Sequence, residues 1–323
     1  MTNLSLCSGA GTLDLAVEQI TGNKTLAYAE NDPCASRVME AHFPWASNLG
    51  DITGIHWADV ASQWQIDSIA AGFPCRNTSN AGKRDGINGR WSRVWKNVAE
   101  AVGVIRPGIV FLENVEALRS RGLNVVVEDL AAIGYGVWWT CLPATAVGNP
   151  TIRWRWFGIA RPDGADHDVT AWRQRWAKLP QAATFDDELA TLPLVASRDW
   201  KSSASNKLGH NARPLNEYVA NLLPRPGESW VTDHGVDHTP AIRRWGTVIG
   251  REAPAPWTRG PRGGKPLSPL FTEWLQGNDA GWITDVDIPR DNQIQIAGNQ
   301  AITRQAVEGY RRLLCADLEA MAA

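Results

Sequence analysis

The chain has 323 residues, of which 44% are hydrophobic and 20% charged, and a formal net charge of -2. That composition excludes a disordered, collagenous or coiled-coil protein and leaves enough chain for a full core and a second, smaller one. No stretch approaches the roughly 18 to 20 apolar residues that a membrane span needs, and charge this close to zero gives no global attraction to nucleic acid.

Met1-Thr2-Asn3 runs almost directly into an apolar segment, so a soluble, unexported, cytoplasmic protein is expected. The first half then alternates short apolar runs with helical segments, the pattern of an α/β, doubly wound, mostly parallel sheet. Strands are predicted over 4–7, 25–30, 66–71, 109–113, 136–142 and 154–160, and helices over 13–20, 33–42, 91–105 and 124–133. The second helix should open with Asp32 as N-cap and Pro33 in its first turn.

Beyond about residue 163 the periodicity fades into Pro, Gly, Ser, Asn and Trp, which suits a small, loop-rich second domain. After Pro266 helical character returns over 271–275 and 301–318, the latter with Ala306, Val307, Tyr310, Leu313 and Leu314 at turn spacing. The boundaries read this way are 1–170 for a catalytic and cofactor-binding domain, 171–265 for the small domain, and 266–323 for a return to the first.

Cys7, Cys34, Cys75, Cys141 and Cys315 are odd in number and scattered, without a C-x-x-C pair, so neither a disulfide framework nor a metal site is expected. Local charge is less even than the total. From Arg76 to Arg106 the basic residues are opposed only by Asp85 and Glu100, and a second basic excess runs over 198–265. Either is a candidate nucleic-acid face or simply a solvated surface.

Chemistry concentrates where strands end. The small-residue turn Cys7-Ser8-Gly9-Ala10-Gly11-Thr12 follows the first strand, where a ligand can approach backbone and helix N-terminus. Glu30-Asn31 closes the second strand, where a carboxylate can accept ribose hydroxyls, and Asp51-Ile52 follows a short extended piece. Together they suggest a nucleoside-containing cofactor across the carboxyl ends of the strands. Gly72-Phe73-Pro74-Cys75 ends another strand and opens a basic loop, where nearby cations favour a thiolate. Glu113-Asn114-Val115 ends the next, bringing a carboxyl group to the edge that carries the thiol.

The glycine turn, Glu30, Asp51, Pro74-Cys75, Glu113-Asn114-Val115, Arg153-Trp154-Arg155 and Ala297-Gly298-Asn299-Gln300 occur in an order that resembles the DNA cytosine-C5 methyltransferase family. Pro-Cys followed about forty residues later by Glu-Asn-Val is the most specific element, and the run from Pro266 to Gly277 adds to it.

The resemblance implies a Rossmann-like, S-adenosylmethionine-dependent enzyme that flips a cytosine out of double-stranded DNA and releases S-adenosylhomocysteine, with no metal. It makes Cys75 the nucleophile at C6, Glu113 the partner of N3 and N4, Arg155 the partner of O2, and Arg153 a phosphate contact or a brace. It gives the Ser8, Gly9, Ala10 and Gly11 turn to the methionine portion of the cofactor, Glu30 to its ribose and Asp51 to its adenine amine, with Cys7, Thr12, Asn31 and Ile52 as further cofactor-binding residues. Phe73, Pro74, Asn299 and Gln300 complete that pocket.

The variable stretch implies a target-recognition domain; a monomer is the default for a protein that acts on one strand's base at a time, and a cognate restriction nuclease is a candidate partner. Departures stand at Cys7, usually Phe, at Arg76 and Thr151, usually Gln, and at Asn88, usually Asp. An RNA (tRNA) cytosine methyltransferase and a catalytically silent DNA-binding relative are the alternatives.

Overall fold

The computed structural model describes residues 1–74, 92–164, 172, 174–175, 189–200, 215–223, 230–232, 235–260 and 263–321. The chain divides into two compact units. One is Met1–Leu142 with Trp154–Gln181 and Arg304–Ala323; the other is Pro143–Arg153 with Ala182–Thr303.

The first unit is built on seven strands: β1 (Thr2–Leu6), β2 (Lys24–Ala29), β3 (Ser47–Asn48), β4 (Ser68–Ala71), β5 (Ile109–Val115), β6 (Tyr135–Pro143) and β7 (Trp154–Pro162). Between them run α1 (Thr12–Thr21), α2 (Pro33–His42), α3 (Trp57–Gln63), α4 (Ser92–Ile105), α5 (Leu118–Arg121) and α6 (Leu123–Ala132). The sheet order is β3-β2-β1-β4-β5-β7-β6. β1 pairs in parallel with both β2 and β4, and β4 with β5, so the mostly parallel, doubly wound sheet expected from the alternation is present.

Chain order turns back at β1, because the path goes outward to β2 and β3 and then returns to β4 on the other side. Such a switch point opens a crevice at the carboxyl ends of the central strands. β7 runs antiparallel to β5, with Val115 opposite Arg155 and Glu113 opposite Phe157. Its first residues therefore stand beside the last residues of β5.

The central strands are buried on both faces, as a covered parallel sheet requires. Leu4 and Leu6 join Ile69, Ala71, Val110 and Leu112 in the main core, while Asn3 and Ser5 on the opposite pleat are equally buried. α2 begins as its sequence dictates: Asp32 Oδ1 accepts from the Cys34 and Ala35 N–H groups at 2.9 and 3.0 Å, and Pro33 occupies the first turn. The closing helix, Thr303–Met321, packs Gly309 so tightly on Phe157 that a Cβ would lie 2.6 Å from its ring. Tyr310 Oη donates to Leu112 O at 3.0 Å.

The second unit has little sheet: β8 (Leu222–Leu223) and β9 (Val231–Thr232) form an antiparallel ribbon. Its core is aromatic. Trp230, Phe271 and Trp274 stack in sequence with ring centroids 5.7 and 5.8 Å apart, and Trp245 Nε1 donates to Trp274 O at 2.9 Å. Around them, the helices Thr239–Ile249, Pro269–Gln276 and Arg290–Asn299 supply Ile242, Trp245, Leu275 and Ile294.

Two features differ from the sequence expectations. Residues 266–303, drawn with the first domain, pack in the second unit together with Pro143–Arg153, because Phe271, Trp274, Leu275 and Ile294 complete its core. The stretch 171–265 also contains a regular helix, Thr239–Ile249, opened by Pro240 and ended by the left-handed Gly250.

Candidate active site

The glycine turn is formed by backbone that few residues tolerate. Cys7, Gly9 and Gly11 have φ of 57°, 58° and 74°. A Cβ on Gly11 would meet Phe43 at 2.5 Å and Met39 Sδ at 2.8 Å, so glycine there lets α1 close on α2. A Cβ on Gly9 would meet nothing within 4 Å. The turn therefore faces open space at the N-terminus of α1, where Gly11 is the N-cap.

Two carboxylates stand at that opening. Glu30 Oε2 accepts from the Gly9 N–H and Oε1 from the Asp32 N–H, both at 2.8 Å. Burial raises the Glu30 pKa above the usual carboxylate range, while those backbone donors pull it down. Asn48 fixes the same corner, its Oδ1 accepting from Glu30 N at 3.4 Å and its Nδ2 donating to Glu30 O at 3.2 Å.

Asp51 Oδ1 accepts from the Thr53 backbone and hydroxyl, each at 2.8 Å, and Oδ2 from Asn31 Nδ2 at 2.9 Å. The Thr53 bonds lead in holding its pKa low. Ile52 is buried behind it. The Cys7 thiol is held far above its ordinary pKa by burial first, then by Glu30 and Asp51, so it stays a neutral thiol facing both acids. An open glycine cradle with two carboxylates at the ends of β2 and β3 has the donor and acceptor set that a nucleoside cofactor needs.

Across the switch point, β4 ends at Gly72-Phe73-Pro74. The Cβ position of Gly72 lies 3.7 Å from Cys7 O and 3.8 Å from Glu113 Oε2, so the turn and the acid approach one another at this strand end. Asn114 Nδ2 donates to Phe73 O at 3.2 Å, tying the end of β5 to the residue before Pro74. Phe73 itself is buried against Trp95, ring centroids 4.9 Å apart.

Glu113 is 9% exposed, and its Oε1 lies 2.8 Å from Arg155 Nε. The antiparallel entry of β7 makes this pair, because it returns Arg155 to the carboxyl edge where Glu113 emerges. A half-buried guanidinium at that distance fixes the orientation of the carboxyl group. Cys75, with Arg76 and Asn88 of the loop that follows, lies outside the described residues.

Arg153 belongs to the second unit. It is 1% exposed, and its Nη2 donates to Gly298 O at 3.2 Å and to Gln300 O at 2.5 Å, with Gln276 Oε1 3.3 Å from Nη1. The guanidinium thus holds the backbone on both sides of Asn299. Thr151 donates from both its N–H and its hydroxyl to Asn149 Oδ1, at 3.0 and 2.6 Å.

The turn residues Ser8, Ala10 and Thr12 are buried together with Asp14, a second acid under the turn that sequence reasoning did not single out. The signal for it was an acid between Leu13 and Leu15 on an otherwise apolar face. Among the described residues no cluster of His, Cys, Asp and Glu has the makings of a metal site, and no helix is long and apolar enough to cross a membrane.

Residues 1–303 match the family model of C-5 cytosine-specific DNA methylases. The Type II methyltransferase M.CviJI of Paramecium bursaria Chlorella virus IL3A is 35% identical over 136 residues, 42% of this chain and 36% of that protein. The Type II methyltransferase M2.BsuMI of Bacillus subtilis is 30% identical over 163 residues, 48% and 40% of the two chains. The matched stretches thus span well under two thirds of those relatives. An Entamoeba histolytica methyltransferase, EhMeth, shares the fold at a TM-score of 0.62 and 13% identity, with 98% of each chain covered.

Proposed function

The chain belongs to the C-5 cytosine-specific DNA methylase family, and we propose that it methylates C5 of a cytosine flipped out of a short sequence in double-stranded DNA. The observation that carries this reading is the buried Glu113–Arg155 pair, 2.8 Å apart, at the sheet edge that β4 and Pro74 share. Bound S-adenosylmethionine supplies the methyl group.

The chain's own residues make the base reactive. The Cys75 thiolate adds to C6 and thereby makes C5 nucleophilic, since C5 of free cytosine is too weak a nucleophile. Glu113 holds the N3 and N4 edge, and Arg155 holds Glu113 and O2, so the charge that develops on the ring meets fixed partners. Loss of the C5 proton and departure of the Cys75 sulfur restore the aromatic ring.

Glu30 and Asn31 hold the ribose, Asp51 and Ile52 the adenine, and the turn from Cys7 to Thr12 the methionine end, with Phe73 and Pro74 beside it. Asn299 and Gln300 are the family's remaining cofactor contacts, and Arg153 braces the backbone on both sides of Asn299. The smaller Cys7 in the family's aromatic position leaves that pocket roomier. The second unit reads the DNA sequence, its basic side chains on phosphates and a few others on base edges. The protein works as a monomer in the cytoplasm, and a restriction nuclease that cuts the same sequence is the partner this reading implies.

Purified protein incubated with S-adenosylmethionine and unmodified duplex DNA should yield 5-methyldeoxycytidine on mass spectrometry of the digested nucleosides. Cys75→Ala should yield none while binding S-adenosylhomocysteine within a few fold of wild type. Product on tRNA but not on duplex DNA would overturn the DNA assignment. Absence of product on both would leave a silent binding protein.

A further inference from the structure

Under the glycine turn lies a carboxyl group that the proposed reaction does not use. Asp14, on the first turn of α1, is fully buried. Its Oδ2 is 2.8 Å from Ser5 Oγ, and its Oδ1 faces Asn3 Nδ2 at 3.3 Å and Thr25 Oγ1 at 3.5 Å. Ser5 Oγ is also 2.7 Å from Ser8 Oγ, inside the turn. A buried chain of hydroxyls thus joins the carboxyl of Asp14 to the residue after Cys7.

A hydroxyl has one proton, so Ser5 donates to Asp14 or to Ser8 but never to both. When Asp14 is ionised, Ser5 must donate to the carboxylate and Ser8 to Ser5, which leaves Ser8 only lone pairs to offer the turn. When Asp14 is protonated, the acid donates to Ser5 and Ser5 to Ser8, and the Ser8 proton is released toward the turn. The other arm does not reverse. Asn3 Nδ2 has only protons to give to Asp14 and Thr25, while Ser68 donates to Asn3 Oδ1 and Asn23 Nδ2 to Ser68, both at 2.9 Å.

We propose that Asp14 is a positioning residue for the cofactor's aminocarboxylate end, setting through Ser5 whether Ser8 presents a proton or a lone pair to a carboxylate at the N-terminus of α1. This rests on the reading of the turn as the methionine subsite. A carboxylate is the group that a helix N-terminus draws, so the protonated form of Asp14 is the binding form, both through the Ser8 proton and by removing a buried like charge.

The group titrates in a useful range. Burial pushes the Asp14 carboxyl up to about 7, with Glu18 adding to the rise and Ser5 and Thr25 opposing it. Glu18, on the same helix, lies 2.9 Å from Lys24. Tyr310, on the closing helix, is held well above its ordinary value by burial and by Glu113 and Asp14, and stays neutral. Cys7 stays a thiol for the reason given above. Glu30, at the ribose side of the turn, also has a raised pKa, which calls for a ligand that touches Glu30 but lacks the aminocarboxylate.

The test is calorimetric titration of the full chain with S-adenosylhomocysteine and with 5′-methylthioadenosine from pH 6 to pH 8.5. S-adenosylhomocysteine should weaken about tenfold more than 5′-methylthioadenosine across that window. Asp14→Asn should hold the low-pH affinity throughout: its Oδ1 faces the donors on Asn3 and Thr25, so its Nδ2 donates to Ser5 at every pH. Ser8→Ala, which leaves the buried carboxyl in place, should flatten the difference between the ligands. Parallel weakening of the two ligands, or a difference that survives in both variants, overturns the proposal. Failure of both ligands to bind at any pH overturns the cofactor reading as well.

Discussion

The two units of this chain are held together in different ways. In the first, strands buried on both faces set side chains at fixed registers, so Glu113, Gly72 and the glycine turn arrive at one sheet edge through backbone pairing. In the second, a short ribbon and short helices accompany a column of Trp230, Phe271 and Trp274, and order comes from a few large rings. The comparison teaches that chemistry needing sub-ångström placement sits where hydrogen-bond ladders supply it. An aromatic core tolerates loops of varied length between its anchors, which suits the DNA-reading role proposed for that unit.

The largest effect expected of that contrast is at the sheet edge. Glu113→Gln keeps the shape but removes the charge that faces Arg155, and should lower single-turnover methylation by about a thousandfold or more. Arg155→Ala removes a guanidinium 2.8 Å from the buried Glu113 carboxyl and should cost about 3 kcal/mol of stability besides activity. If Glu113→Gln retains a tenth of the wild-type rate, the edge shared by β4 and β5 is not the reaction centre.

Next in size is the aromatic column. Trp274→Ala removes two contacts at once, the stack on Phe271 and the hydrogen bond that its Nε1 donates to Arg251 O at 3.1 Å, and should cost about 3–5 kcal/mol. Amide exchange should then lose protection across Ala182–Thr303 while β1, β4 and β5 keep theirs. Equal loss in the parallel sheet would show that the two units unfold as one, and the contrast drawn here would fail.

The same contrast explains what was legible in the sequence. Parallel strands read as apolar runs of the right length, and every predicted strand is present within a few residues of its expected ends, as is α2 with its Asp32 cap. Thr239–Ile249 was hidden because Pro240 and Gly250 bracket it like loop residues, although Ala241, Ile242 and Trp245 bury one face at turn spacing. Arg290–Asn299 carries no apolar stripe, its buried Ile294 and Ile296 alternating with Gln293 and Gln295, so no helical period announced it.

At the site, Glu30 and Glu113 were legible because each stands at the end of an apolar run, and Asp51 because it follows a short extended piece. The pairing of Glu113 with Arg155 was not a matter of spacing: β7 enters the sheet beside β5, out of chain order. Arg153 and Arg155 are two residues apart, yet one braces the segment around Asn299 and the other meets Glu113. Asp14 gave least warning, since its partners Asn3, Ser5 and Thr25 come from two different strands and only the folded sheet brings them together.

The smallest expected effect tests how far the parallel-sheet unit tolerates that acid. Asp14 has an ordinary carboxyl pKa of 3.8 when exposed and one of about 7 in the fold. Between those values the unfolded chain has lost a proton that the folded chain still holds, so stability falls as pH rises, and it levels off once the folded carboxyl has also ionised. Asp14→Asn has no proton to lose. Relative to wild type, its stability should therefore rise by about 1 kcal/mol between pH 6 and pH 8, read as a shift in the urea midpoint. The sign matters more than the size, because an acid held ionised by its three donors would have a lowered pKa and no transition in this window. Midpoints that move in parallel for the two proteins would mean that the hydroxyls and amide around Asp14 outweigh its burial, and that the sheet stabilises the charge instead of suppressing it.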